Sequence, residues 1–166
     1  MEVRSVETIV RTLNDARVQY LIVGGLAVNA HGYERLTVDV DLVIGLKEEN
    51  ILRALRVLQA AGWQIGAPLK AEEFADPARR ESLRREKNMV VLRLWSDLHR
   101  RTPIDIFVRE PFDFEGELAR AKWEPVAGGI PAPIVSYETL IAMKKDAGRD
   151  KDLLDIENLR KLDPYR

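Results

Sequence analysis

Three aspartates and a glycine pair are the residues of this chain best suited to chemistry. Asp39 and Asp41 lie in the run Leu36 to Ile44, Leu-Thr-Val-Asp-Val-Asp-Leu-Val-Ile, where Thr37, Asp39 and Asp41 alternate with Leu36, Val38, Val40 and Leu42. Read as a strand, the run puts both carboxylates on one face, about 7 Å apart at Cα. Two like charges there cost stability unless a cation, an arginine or water absorbs them. Asp105, between Ile104 and Ile106, is polar where a core strand would be apolar. If its strand lies beside the first, three carboxylates converge, a set suited to one or two Mg²⁺ or Mn²⁺ ions shared with substrate phosphates. The competing reading is an acidic, solvent-facing edge strand, or pairing with nearby Arg35.

Gly24-Gly25 follows the short β-branched run Tyr20-Leu21-Ile22-Val23. Glycines at the end of a strand allow a tight turn and bring N–H groups and the next helix start against an anion such as a phosphate. A plain turn is the competing reading. Arg35 sits between this turn and the aspartates, placed either to bind phosphate or to pair with Asp39 or Asp41. Lys144 and Lys151 are candidates for neutralising triphosphate charge, against the alternative of a solvated helix face. His31 precedes Gly32 and reads as a cap or packing residue, and His99, in a polar turn, receives no role.

The elements that must position these groups follow from periodicity. Val6, Ile9, Val10, Leu13 and Ala16 mark an amphipathic helix, with Ser5 as its expected N-cap. Tyr20 to Val23 reads as a strand, Leu26 to His31 as a short helix ended by Gly32, and Glu48 to Ala61 as a helix stopped by Gly62. Trp63 to Ile65 is a possible short strand. Met89 to Trp95 and Pro103 to Val108 are expected to form an antiparallel pair. Weaker patterns suggest a helix near 115–121 and extended pieces at 123–126 and 130–135. Ser136 begins a helix broken near Gly148, and a last helix carries Leu153, Leu154, Ile156, Leu159 and Leu162, with Pro164 as its stop. The fold class is α/β or α+β: a mixed β-sheet flanked by helices.

With 166 residues, 46% hydrophobic and 32% charged, the chain suits one packed domain rather than a disordered tail. There are 26 Lys and Arg against 27 Asp and Glu, so a general attraction to nucleic acid is not expected. Any anion site must be local. The exception is 77–101, where Arg79, Arg80, Arg84, Arg85, Lys87, Arg93, Arg100 and Arg101 stand against Glu81, Glu86 and Asp97, eight cations against three anions. That segment reads as an acceptor-binding surface or a solvated one; Trp95 is its single aromatic, sparse for a stacking platform. No cysteine is present, which removes disulfides, thiolate metal sites and cysteine nucleophiles. No signal-peptide layout or bilayer-length run is seen, so a cytoplasmic location is expected.

Gly24-Gly25, His31-Gly32, Arg35, Thr37, Asp39 and Asp41, with Asp105 on a later strand, resemble the core motifs of the nucleotidyltransferase superfamily that includes DNA polymerase beta. The run Lys144, Arg149, Lys151, Asp152 and Asp155 is similar to the tail of small bacterial members related to abortive-infection toxin nucleotidyltransferases. The resemblance implies a single nucleotidyltransferase-like domain over 1–166. It assigns phosphate to Gly24 and Gly25, metal to Asp39 and Asp41, and metal and the base role to Asp105, the three aspartates forming the expected catalytic set; Arg35, Thr37, Lys144 and Lys151 stand beside them as candidate phosphate-binding residues. It further implies Mg²⁺ or Mn²⁺, a nucleoside triphosphate, and a hydroxyl acceptor on protein, RNA or a small molecule. Many relatives carry Gly-Ser where this chain has Gly24-Gly25, which removes one hydroxyl contact. The chain also lacks the added domain that completes the acceptor pocket in larger relatives, so a homodimer or a cognate toxin or antitoxin partner is an expected complement. The alternatives are a non-catalytic nucleotide- or partner-binding module and a purely structural domain.

Overall fold

The computed structural model describes residues 1–162. One seven-stranded mixed sheet organises the chain in the order β3-β4-β5-β2-β1-β7-β6. Its strands are β1 (Tyr20–Ile22), β2 (Val40–Ile44), β3 (Gln64–Ile65), β4 (Val91–Trp95), β5 (Ile104–Phe107), β6 (Lys122–Pro125) and β7 (Pro131–Ile134). The helices are α1 (Val3–Asp15), α2 (Gly24–Ala30), α3 (Glu48–Ala60), α4 (Ala71–Ala75), α5 (Pro77–Lys87), α6 (Phe114–Arg120), α7 (Tyr137–Ala147) and α8 (Asp150–Leu162). The expected α/β architecture is present, as is the antiparallel β4–β5 pair.

β2 and β5 run parallel as direct neighbours, with Val40, Asp41 and Leu42 opposite Ile104, Asp105 and Ile106. Strand alternation divides these residues between the two faces of the sheet. Ile22, Leu42, Ile106 and Leu92 form one buried row across β1, β2, β5 and β4. That face carries Tyr20, whose hydroxyl donates to Asn14 of α1 at 2.8 Å, and α1 packs on α3. The opposite face presents Asp41 and Asp105. α2 packs against β2 and α7, and α7 against α8, on the carboxylate side.

Several local expectations are corrected. The strand expected from Leu36 begins only at Val40, so residues 33–39 form an irregular segment and Asp39 lies in the bend just before β2. Leu36 and Val38, the apolar half of the expected alternation, are largely exposed; with no neighbouring strand to pair with, the segment gains nothing from extended pairing. Glu2, not Ser5, is the N-cap of α1. Ser5 is buried and its hydroxyl bonds the His99 ring at 2.9 Å, while that ring stacks on Trp63 with centroids 4.1 Å apart. The arginine-rich segment begins with a helix, α5, capped by Asp76, whose side chain accepts from Ala78 N. Pro164, the expected stop of α8, lies outside the described residues.

Candidate active site

β2 and β5 hold Asp41 and Asp105 as paired positions, and the bend before β2 adds Asp39. One carboxylate oxygen of each lies within 4.8 Å of the others. Asp105 is buried, while Asp39 and Asp41 are partly covered. Burial, then the neighbouring charges of Asp39 and Asp105, push the Asp41 carboxyl up to about 6. Such crowding is stabilised by a cation, and an all-oxygen cluster of this size fits Mg²⁺ or Mn²⁺.

The glycine turn belongs to the same site through close approach. Gly24 has φ +63°, and a Cβ there would fall 1.9 Å from Oδ2 of Asp41. A Cβ on Gly25 would fall 2.4 Å from Oγ1 of Thr37. The turn therefore has no room for side chains because the carboxylate and the hydroxyl occupy that space. Gly25 also donates its N–H to Asp41, which works against the upward push on that carboxyl. Thr37 Oγ1 donates to the Asp39 carbonyl at 3.4 Å, tying the irregular segment to the acidic pair.

The basic residues divide into two groups. Arg35 is a bidentate partner of Asp155, with Nε–Oδ1 at 2.6 Å and Nη2–Oδ2 at 2.8 Å, and its Nη1 donates to Leu36 O. It pairs with neither Asp39 nor Asp41, because its fork is spent fixing the loop to α8. Lys144 is buried between Asp152 at 3.2 Å and Asp155 at 2.7 Å. In this arrangement Arg35 and Lys144 anchor α8. Lys151, one turn along, is exposed and close enough to help hold Asp41 in its charged form. Arg149 bonds Asp152 at 2.6 Å while also feeling Asp41 and Asp39.

Arg93, read from sequence only as one cation of the 77–101 surface, is a residue of the site itself. It faces Asp105 across the β4–β5 pair and binds both its oxygens, at 2.8 and 2.6 Å; Nη2 also lies 3.6 Å from Asp39. The signal was present: Arg93 interrupts Val-Leu-Arg-Leu-Trp at an alternate position, as Asp105 interrupts Ile-Asp-Ile-Phe. His31 has a packing role, its Nε2 2.8 Å from Val135 O and its ring edge-on to Tyr137. Two cavities of about 560 and 550 Å³ are lined by none of the three carboxylates.

No family model and no curated protein matches this chain. Solved structures do. The solution structure of the antibiotic-resistance factor ANT(2'')-Ia is similar over 96% of this chain and 82% of its own, with TM-score 0.62 and 14% identity. The lincosamide antibiotic adenylyltransferase LnuA, with lincomycin bound, matches over 95% of each chain, with TM-score 0.57 and 16% identity. TM1012 from Thermotoga maritima matches over 98% of this chain and 92% of its own, with TM-score 0.56 and 18% identity. The likeness is one of fold: this chain shares the α/β fold of these solved structures.

Proposed function

We propose that this chain, built on the nucleotidyltransferase fold, transfers a nucleoside monophosphate from a nucleoside triphosphate to a hydroxyl acceptor. The observation that carries the reading is the meeting of Asp39, Asp41 and Asp105 beside the Gly24-Gly25 turn. Asp39, Asp41 and Asp105 would hold Mg²⁺ or Mn²⁺, which when bound neutralises triphosphate charge and the charge developing at the transferred phosphorus.

Each residue then has a stated task. Asp105, on the β4 side of the cluster, accepts the proton of the attacking hydroxyl. Asp41, fixed by the Gly25 N–H, keeps its carboxylate at the turn. Gly24 and Gly25 leave the backbone accessible to the phosphates, Thr37 offers a hydroxyl there, and Lys151 supplies positive charge to the leaving pyrophosphate. Arg35 and Lys144 act as positioning residues, holding α8 so that Lys151 faces the site.

The neighbours suggest where to begin. LnuA is a lincosamide adenylyltransferase, and ANT(2'')-Ia forms a complex with adenylyl-2''-tobramycin, so ATP and a hydroxylated small molecule are the first pair to test. Cytoplasmic location and a toxin–antitoxin partner belong to the same proposal. With ATP labelled at the α-phosphate and Mg²⁺ or Mn²⁺, label should appear on the acceptor. Transfer of γ-label alone, or no transfer to any small molecule, RNA or protein, would overturn the reading. A second reading, a non-catalytic nucleotide-binding module, is favoured by the closed Arg93–Asp105 pair, and predicts nucleotide binding without transfer.

A further inference from the structure

The carboxylate face of the sheet continues beyond the aspartates in two rows. In the first, Asp41, Asp105 and Arg93 stand side by side across β2, β5 and β4. The next position outward is Gly66, whose N–H donates to Arg93 O at 2.8 Å. A glycine here leaves the floor beside Arg93 without a side chain. In the second row, about 7 Å along the strands, Trp95 faces Gln64 of β3. Alternation puts Trp95 on the same face as Arg93 and Asp105. The indole edge lies against Gly66, 3.4 Å from where a Cβ would stand, and the residue is 42% exposed. Asp39, before β2, extends from the first row in the same direction along the strands.

We propose that Trp95 is the acceptor platform of the site: its indole takes the flat C–H face of a small hydroxylated ring, of the glycoside class, beside Arg93 and the carboxylates. The inference rests on the transfer reading above and names its acceptor class. An exposed indole matches the apolar face of such a ring. Asp39 and Arg93 offer acceptors and donors to its hydroxyl-bearing edge, and Asp105 lies where one hydroxyl would lose its proton. A mostly apolar surface with a few placed polar groups is the usual composition of a small-molecule subsite.

A polymer fits the same surface less well. Single-stranded nucleic acid is held by successive aromatics along a basic track. Here Trp63 is fully buried, and Trp123 belongs to β6 at the other end of the sheet. Trp95 therefore stands as the exposed tryptophan at the β3–β4 end of the sheet, beside Arg93 and the carboxylates.

The test uses Trp123→Phe, in which Trp95 is the exposed indole, and reads acrylamide quenching of its fluorescence with tobramycin, lincomycin, adenosine or an oligouridylate dodecamer added. Shielding by tobramycin or lincomycin is expected. Adding Trp95→Ala should weaken binding of that compound at least tenfold, measured by calorimetry, while Trp95→Phe stays within threefold. The thermal shift given by Mg²⁺ with ATP should be the same in all three backgrounds. Shielding by the oligonucleotide alone, by adenosine alone or by no compound overturns the platform. So does an equal loss of the Mg²⁺–ATP shift in Trp95→Ala, which would mark a structural role. A wild type with no Mg²⁺–ATP response but intact glycoside shielding would instead defeat the transfer reading and leave the ring subsite standing.

Discussion

Arg93 holds both carboxylate oxygens of Asp105 from the facing position of an antiparallel pair, while Nη2 also reaches to within 3.6 Å of Asp39. One half-exposed guanidinium thus balances much of a three-carboxylate cluster. The hydrogen bond and charge of Asp105 in turn raise the guanidinium pKa above its ordinary value.

Arg93→Met removes that balance and keeps most of the apolar stem. The metal-free protein should lose about 1–2 kcal/mol, less than for a buried pair because Arg93 is solvated. The stabilisation given by Mn²⁺ alone should grow, since Asp105 no longer has a competing partner. Thermal unfolding with and without Mn²⁺ reads both effects; an unchanged metal gain would show that Arg93 does not compete.

Asp41→Asn should act in the opposite direction. Burial and two neighbouring carboxylates disfavour the Asp41 charge, and the amide oxygen can still accept from Gly25. At neutral pH and without metal the variant should be more stable by about 1–2 kcal/mol. Its gain from Mg²⁺ with ATP should vanish, as ligand linkage requires when the site is lost. A less stable metal-free variant in denaturant titration would make Asp41 a structural partner instead.

Gly24→Ala tests the close approach at the turn. The backbone is left-handed, and the new methyl would overlap the Asp41 carboxylate. A loss of about 2 kcal/mol or more is expected, together with a weakened metal response. Gly129, also at positive φ but with nothing within 4 Å of a Cβ, is the control: Gly129→Ala should cost about 1 kcal/mol and leave the metal response intact.

Asp155 and Asp152 contribute to the acid limb of stability, alongside the buried Glu117. Burial pushes both aspartate carboxyls up. Hydrogen bonds from Arg35 and Lys144 to Asp155, and from Arg149 and Lys144 to Asp152, outweigh it and hold each below the ordinary value of 3.8. A carboxyl lowered in the folded state contributes stability that is fully present well above 3.8 and is lost as pH falls through the folded value. The wild type should therefore weaken steeply below about pH 4. Asp155→Asn should lose about 3 kcal/mol at neutral pH, because Arg35 and Lys144 keep their charges without that partner, and should show a shallower acid limb. Denaturant midpoints from pH 3 to 7 would check both; parallel limbs would show that the pair carries no linkage.

Much of this site was legible in the residues. The glycine pair, Asp39, Asp41 and Asp105 are conspicuous because each departs from what its neighbourhood favours: acids inside apolar runs, glycines directly after a β-branched strand. Helix stops at Gly62 and Gly148 were equally readable, since a left-handed cap is a local requirement that glycine meets without strain. The arginine-rich segment misled, because its charge count drew attention from the alternation that sets Arg93 and Trp95 on one face of β4.

Local sequence determined which residues could form strands, turns and caps, because those preferences are settled within a few residues by backbone sterics and side-chain periodicity. The tertiary structure alone decided that β2 lies beside β5, that Arg93 meets Asp105, and that Arg35 reaches Asp155 on α8 rather than the nearer aspartates. Those pairings join residues far apart in the chain. They follow from burying the Ile22, Leu42, Ile106 and Leu92 row against α1 and α3, a cooperative requirement that no single stretch of sequence expresses.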